Sequence, residues 1–263
     1  MPSRFDSKVL LQVRWILAIV VGIVFALVFV RLALWQLDRL EEVRAFNATV
    51  EARSSEPPRP LEGILGQYGS HVDAMLHRTA VVEGVYRTSD EFFSIGRTAG
   101  DVQGDLVATP LDLADGTVLI VVRGLLPPGA AGPPAQGYEP PMGLVSLVGR
   151  IDDGEDPTRI GESAPEDGRL ESLSRLDLVY IDRWLDGDVL PITLILEEQA
   201  PPDQNGTPLR MPQEELTEGS HLGYAVQWFA FTIIVVVGVA VLVYRAGRRD
   251  DPIEADRDGA SQP

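Results

Sequence analysis

The chain has 263 residues, no cysteine, and a formal net charge of −17 at pH 7. The missing cysteine excludes disulfides, thiolate metal sites and a cysteine nucleophile. The acidic balance disfavours binding to nucleic acid or to anionic lipid headgroups. It is explained either by solubility or by a basic protein partner.

Two long apolar stretches dominate the chain. Residues 15–37 and 222–244 each have the length of about 20 residues that a helix needs to cross a bilayer. The first stretch is too long for the core of a signal peptide, and Trp35 and Gln36 stand where a small-residue cleavage site would follow. We therefore expect a membrane protein in which two transmembrane helices flank one extracytoplasmic domain.

Cations beside the two stretches predict the topology. They are Arg4, Lys8 and Arg14 before the first stretch and Arg245, Arg248 and Arg249 after the second. By the positive-inside rule, residues 1–14 and 245–263 are expected to be cytoplasmic, the latter as a disordered tail. Residues 38–221 then form the outer domain, with 33 acidic and 14 basic residues. The short N-terminus without a presequence favours a bacterial plasma membrane over a mitochondrial precursor.

The outer segment has the pattern of a mainly β domain of the α+β class. Residues 38–53 continue the first helix, until the proline-rich segment 54–60 ends it. Residues 72–76 suggest a short helix. Six short β-branched or aromatic runs read as strands: 79–86, 91–97, 106–113, 117–126, 143–151 and 190–197.

The connections carry further expectations. The pair Asp115-Gly116 between two apolar runs is a strong hairpin signal. Residues 127–141, rich in Pro, Gly and Ala, are expected to form a surface loop. Residues 152–168 form an acidic insertion that we expect to be mobile. Residues 172–186 are close to helical spacing, but a strand is the alternative for 178–181.

Three segments together carry a resemblance to a known family: LWQLDR at residues 34–39, residues 104–127 with Thr-Pro, Asp-Gly and Arg-Gly elements, and GSHLGYAVQWFAF at residues 219–231. In this order they resemble the WQ-x-x-R motif, the central block and the closing block of the Surfeit-locus-one family of cytochrome c oxidase assembly factors. The order and spacing match over nearly the whole chain, although Ala33 stands where a glycine is usual and the acidic insertion is peculiar to this chain.

The resemblance implies a chaperone for assembly of the haem-copper oxidase of the respiratory chain. Such a protein binds haem A and assists its insertion into the catalytic subunit. Its implied partners are cytochrome c oxidase subunits, the enzymes of haem A synthesis and membrane lipid. Two alternatives stay open: a scaffold that stabilises oxidase subunits without haem, and a membrane-anchored extracytoplasmic enzyme.

His221 is the candidate iron ligand, because imidazole is a common axial ligand of haem. Ser220 is expected to cap the second helix, which places His221 in the first turn, where the helix dipole favours the neutral imidazole. Helical spacing puts Tyr224 and Trp228 on the same face, so all three are predicted to bind the cofactor. The alternative is an interfacial histidine within an ordinary aromatic belt that includes Trp35.

Other polar residues have structural interpretations. Gln36 and Gln227 are predicted to form a hydrogen bond across the helix pair at membrane depth. Arg97 and Arg123 are predicted to form salt bridges from their strands. The chain has no nucleophile elbow, phosphate loop, dinucleotide fingerprint or zinc signature, so we expect no enzymatic activity.

Overall fold

A computed structural model describes residues 12–127, 130–155, 170–213 and 215–247. The chain divides into two compact units, one built from Met1–Asn47 with Leu216–Pro263 and the other from Ala48–Glu215. Residues 248–263 of the predicted C-terminal tail, residues 1–11 of the predicted N-terminal segment and residues 156–168 of the acidic insertion lie outside the described residues. Residues 245–247, predicted as the start of the disordered tail, are helical.

The helices and strands follow one another in a simple order. The helices are α1 (Val13–Ser54), α2 (Leu61–Tyr68), α3 (Val72–Met75), α4 (Leu178–Ile181) and α5 (His221–Gly247). The strands are β1 (Arg59–Pro60), β2 (Thr79–Tyr86), β3 (Phe92–Ala99), β4 (Val102–Asp112), β5 (Thr117–Leu126), β6 (Leu144–Asp152), β7 (Ser172–Leu173) and β8 (Asp188–Ala200).

The first unit contains the two long apolar helices. The 42 residues of α1 include both the predicted apolar stretch and its predicted continuation, which confirms that one helix runs through both. The 27 residues of α5 match the second predicted stretch to within three residues at each end. By length and composition, both helices are able to cross a membrane. Their apolar side chains are largely exposed, as at Leu27 (65%) and Ile234 (64%).

The second unit is built around a closed ring of five strands. In ring order the strands are β2, β6, β8, β5 and β4. Neighbours are antiparallel except β5 and β8, which are parallel. The ring closes where Val85 and Tyr86 of β2 pair with Asp112 and Leu111 of β4. The remaining strands, β1, β3 and β7, extend the sheet beyond the ring.

The central strand is β5, which is buried on both faces. Leu119 and Val121 belong to one core cluster, while Ile120 and Val122 belong to another on the opposite face. This explains why its sequence is a continuous apolar run and does not alternate. It enters from the predicted hairpin turn, where the Asp115 carboxylate accepts a hydrogen bond from the backbone N–H of Thr117 at 3.0 Å. That bond, with a second from the Thr117 hydroxyl, lowers the pKa of Asp115.

Three expectations about the domain are wrong in part. Residues 178–181 form a short helix and not the alternative strand, because Asp177 caps it by accepting the backbone N–H of Tyr180 at 3.1 Å. The loop 127–141 does not lie wholly on the surface, since Ala135 and Pro140 are buried. The described residues form eight strands where five or six were predicted, because β1 and β7 have two residues each and carry no periodic pattern.

Candidate functional site

The predicted site lies at the N-terminal end of α5. The helix begins at His221, and the carbonyl of Ser220 accepts the backbone N–H of Tyr224 at 3.1 Å. Ser220 therefore occupies the predicted N-cap position, although its hydroxyl makes no hydrogen bond to any residue that the structure describes. His221 is thereby held in the first turn, half-buried, with its imidazole beside the exposed N–H groups of the helix start.

The imidazole of His221 has a defined partner on the other helix. Its Nδ1 lies 2.9 Å from the side-chain oxygen Oε1 of Gln36. Because an amide oxygen accepts hydrogen bonds, Nδ1 is the donor in this contact, and in the neutral imidazole Nε2 then carries the lone pair. This arrangement is the usual one for metal-binding histidines, whose second nitrogen donates to an oxygen that orients the ring.

The prediction that Gln36 would bond to Gln227 is wrong. Gln36 does form a hydrogen bond across the helix pair, but its partner is His221. Gln227 is exposed and has no hydrogen bond within the described part of the chain. As a result, two of the three segments that resemble the assembly-factor family meet in one hydrogen bond.

Gly219 leaves open one edge of the imidazole. A β-carbon built at this position would lie 3.5 Å from Cδ2 and 3.6 Å from Nε2 of His221. The backbone of Gly219 also has a φ of +64°, which side-chain-bearing residues rarely adopt. A glycine here therefore permits the turn into α5 and avoids the contact that a β-carbon would make with the Nε2 edge of the ring.

Tyr224 and Trp228, the two aromatic residues predicted to share the site with His221, have different surroundings from each other. Trp228 packs on the first helix, with its ring centre 5.5 Å from that of Phe29 and 5.7 Å from that of Phe231. Tyr224 is 49% exposed. His221 thus contacts Gln36, whereas Trp228 belongs to an aromatic cluster. The part of the predicted face that contains Trp228 is covered by α1.

Polar contacts bind the segment before α5 to α1. Arg44 donates two hydrogen bonds of 2.8 Å to the carboxylate of Glu218, and the side-chain amide of Asn47 donates to the carbonyl of Thr217 at 3.1 Å. The hydrogen bond from Arg44 lowers the pKa of Glu218. These contacts lie on the solvent-exposed side of the segment that precedes His221 and restrict the path by which it enters the helix.

The domain unit contains a buried charge network centred on Arg123. The side chains of Arg123, Glu91 and Asp203 are fully buried. The guanidinium donates to Glu91 at 3.1 Å, to Asp203 at 2.9 Å and to the carbonyl of Tyr138 at 2.7 Å. Arg210 adds a second cation 3.4 Å from Asp203. Two carboxylates thus meet two guanidinium groups, so the network is balanced in charge.

Further hydrogen bonds complete this network. Glu91 accepts the hydroxyl of Thr109 and the backbone N–H of Ala135, each at 2.7 Å. The Tyr86 ring lies 5.7 Å from the guanidinium carbon of Arg123, and burial raises the pKa of its hydroxyl. The bond to Ala135 explains why the loop is buried there. The predicted salt bridge of Arg123 is confirmed, as is that of Arg97, which pairs with Glu155.

Gly124 allows residues 203–210, which include Asp203 and Arg210 of the charge network, to approach β5 closely. The backbone carbonyl of Leu209 lies 2.5 Å from where a β-carbon of Gly124 would stand, and Gly124 has a φ of +139°. Leu125 and Leu209 exchange backbone hydrogen bonds of 2.8 and 2.9 Å. The Arg-Gly element therefore holds residues 203–210 in two ways, by charge and by the missing side chain.

We expect Gly124→Ala to lower the free energy of unfolding by about 1–3 kcal/mol, because the new methyl group meets backbone and the residue keeps a strained φ. Denaturation of the purified full chain, followed by circular dichroism, measures this loss. Gly116→Ala is the matched control, since it also has a positive φ but open space around its β-carbon. An equal loss in both variants would show that backbone strain alone is responsible and that the contact with Leu209 contributes nothing.

This protein is of the class in which two candidate membrane helices flank, in sequence, one mixed β domain. In this chain an oriented imidazole stands at the start of the second helix. The chain belongs to the SURF1 family, whose model matches residues 23–233. Members of this family are known in general as oxidase assembly factors and not as catalysts.

Full-length relatives agree with this membership. The chain is 26% identical over 247 residues to uncharacterised SURF1-like proteins of Mycobacterium bovis and Mycobacterium tuberculosis, an alignment that covers 92% of this chain and 89% of theirs. It is 25% identical over 228 residues to a SURF1-like protein of Monosiga brevicollis, covering 83% of this chain and 84% of that protein.

Proposed function

We propose that this protein is a membrane-anchored assembly factor of haem-copper cytochrome c oxidase that binds haem A through His221 and assists its insertion into the catalytic subunit. The observation that carries the proposal is the hydrogen bond from Nδ1 of His221 to Gln36, which in the neutral imidazole leaves the lone pair on Nε2. Membership of the SURF1 family supplies the process in which such a ligand would be used, namely oxidase assembly.

The residues around His221 fit haem A as a cargo. Imidazole is a common axial ligand of haem iron. The exposed ring of Tyr224 lies one turn further along α5 and offers a flat apolar surface beside the imidazole. Trp228 supports the site through its contact with Phe29, since its own ring is engaged between the helices.

The helices support a membrane location. Apolar side chains such as Val24 and Val237 are more than half exposed along α1 and α5, which is unfavourable in water and expected in lipid. Arg14 and Arg245 flank the two apolar segments on the same side of the hairpin. We infer that both termini are cytoplasmic, and that the strand domain lies outside the plasma membrane of a bacterium.

The orientation suggests how the partners would be met. Haem A and the oxidase subunits are membrane-embedded, and His221 stands at the outer end of α5, where lipid-borne cargo and a neighbouring membrane protein are both within reach. The acidic outer domain suits contact with oxidase subunits or haem A synthesis enzymes through basic surfaces.

The test is the haem content of protein purified from cells that make haem A. Loss of an outer-sphere partner alone lowers metal affinity about 10- to 100-fold, so loss of the ligand itself in His221→Ala is expected to lower bound haem A at least about ten-fold. The matched control is His71→Ala, which removes an exposed histidine of the other unit. Absorption spectra of the three preparations measure the bound haem.

Two results would contradict the proposal. Equal haem content in wild type and His221→Ala would exclude His221 as the ligand. Wild-type protein that carries oxidase subunits but no haem would favour the scaffold function. Loss of the haem A type oxidase spectrum after deletion of the gene is expected in either case and excludes an unrelated enzyme.

A further inference from the structure

Gln36 is the only described side chain that forms a hydrogen bond with the imidazole of His221. We propose that Gln36 is a positioning residue that holds His221 in the tautomer with Nδ1 protonated, so that Nε2 is the ligating atom. The inference rests on the proposed function for its use in haem binding, but the tautomer itself is a property of the haem-free protein.

The geometry of the pair determines which nitrogen is protonated. Oε1 of Gln36 faces Nδ1 at 2.9 Å, a normal distance for an N–H···O hydrogen bond. With an acceptor at this position, the tautomer protonated at Nε2 would place two lone pairs against each other. The pair therefore selects one tautomer and also fixes the rotation of the ring about its side-chain bonds.

The two nitrogens of the imidazole have different surroundings. On the Nδ1 side, Gln36 is half-buried and belongs to the other helix. On the Nε2 side, a β-carbon at position 219 would lie 3.6 Å from Nε2, and glycine avoids this contact. Within the described part of the chain, Nε2 forms no hydrogen bond, so a ligand does not have to displace one.

The amide of Gln36 suits this position better than a carboxylate. The residue lies at the end of the apolar stretch of α1, where a buried charge is costly. A neutral acceptor orients the ring without adding a charge. A carboxylate at the same place would make the ring a stronger donor of electrons to a bound iron.

The first experiment reads the tautomer directly in the haem-free full chain. Histidine labelled with ¹⁵N is incorporated, the protein is placed in lipid nanodiscs, and the ring-nitrogen signals of His221 are assigned by their absence in His221→Ala. The chain has three histidines, so the assignment is simple. The matched control for Gln36→Leu is Gln227→Leu, which removes an exposed glutamine of α5.

We expect wild type and Gln227→Leu to show a protonated Nδ1 and an unprotonated Nε2. Gln36→Leu is expected to show a mixture of tautomers or the opposite one. Protonation of Nε2 in the wild type, or an unchanged tautomer in Gln36→Leu, would overturn the inference. Since no haem is present, this reading does not depend on whether the proposed function is right.

The second experiment titrates purified haem A into the same proteins. Gln36→Leu is expected to weaken binding about 10- to 100-fold, and Gln227→Leu is expected to leave it unchanged. Gln36→Glu keeps an acceptor of the same length, so it should retain binding while lowering the reduction potential of the bound haem. If Gln36→Leu binds haem A with unchanged affinity, the tautomer of His221 does not affect haem binding, and Gln36 has no role in haem binding. A wild type that binds no haem A would contradict the proposed function and leave the tautomer result standing.

Discussion

Arg123→Met is expected to lower the free energy of unfolding of the strand domain by about 3–5 kcal/mol, the usual cost of removing one partner from a buried ion pair. The guanidinium is fully buried, and its loss removes the ion pairs that Arg123 forms with the buried carboxylates of Glu91 and Asp203. Methionine fills much of the volume but offers no donor. Denaturation of the full chain, followed by the β-sheet signal in circular dichroism, measures the loss.

A double variant tests whether the buried charge causes this loss. In Arg123→Met/Glu91→Gln the buried carboxylate of Glu91 is also replaced by a neutral amide, whose oxygen can still accept the backbone N–H of Ala135. We therefore expect the double variant to be more stable than Arg123→Met alone. If it is less stable by the sum of the two single effects, the charges do not interact and the network is held by packing.

Arg97→Met is the matched comparison for the surface. Its partner Glu155 is one-third exposed, and exposed pairs contribute little, about 0–1 kcal/mol. A similar loss in Arg97→Met and Arg123→Met would contradict the importance assigned to burial.

The local elements of this fold were predictable because their signals are local. The apolar runs of α1 and α5 and the Asp115-Gly116 turn each specify structure within a few residues. The parallel pairing of β5 with β8 and the closure of the ring between β2 and β4 depend on residues far apart in the chain. No periodic pattern in one sequence encodes such pairings, so the ring could not be foreseen.

The candidate site shows the same division. His221 was predictable from imidazole chemistry and from its place at a helix start. A cross-helix hydrogen bond of Gln36 was also predictable, because a polar group at membrane depth needs a partner. The depth of each residue in the membrane explains why the partner of Gln36 is His221. In an antiparallel helix pair, the end of the first apolar stretch lies level with the start of the second. Gln227 lies six residues, about 9 Å, deeper than His221 and is therefore too far from Gln36.

In the charge network, the need of Arg123 for a partner was predictable, but the identity of its partners was not. Arg123 on a strand that is otherwise apolar demanded a buried partner. Its partners could not be identified, because Glu91 and Asp203 are two of the 33 acidic residues between positions 38 and 221. Their burial follows from strand pairing and from the path of residues 203–210, neither of which leaves a local signal.

Ile234→Arg is expected to raise the apparent free energy of membrane insertion of α5 by about 3–4 kcal/mol relative to wild type. Ile234 is the middle residue of the helix from His221 to Gly247 and is 64% exposed, so an arginine there would meet the centre of the bilayer. A glycosylation-based insertion assay, with an acceptor site on each side of the helix, measures the inserted fraction.

The same substitution near the end of the helix provides the control. Leu222 is also exposed, but it lies 12 residues, about 18 Å, nearer the outer end of α5. An arginine at this position reaches the headgroup region, so Leu222→Arg is expected to change insertion far less. A helix lying on the membrane surface, or packed within a soluble protein, has no such gradient of cost with depth. Equal effects at the two positions would therefore contradict the membrane-spanning assignment of α5 and the placement of His221 at its outer boundary.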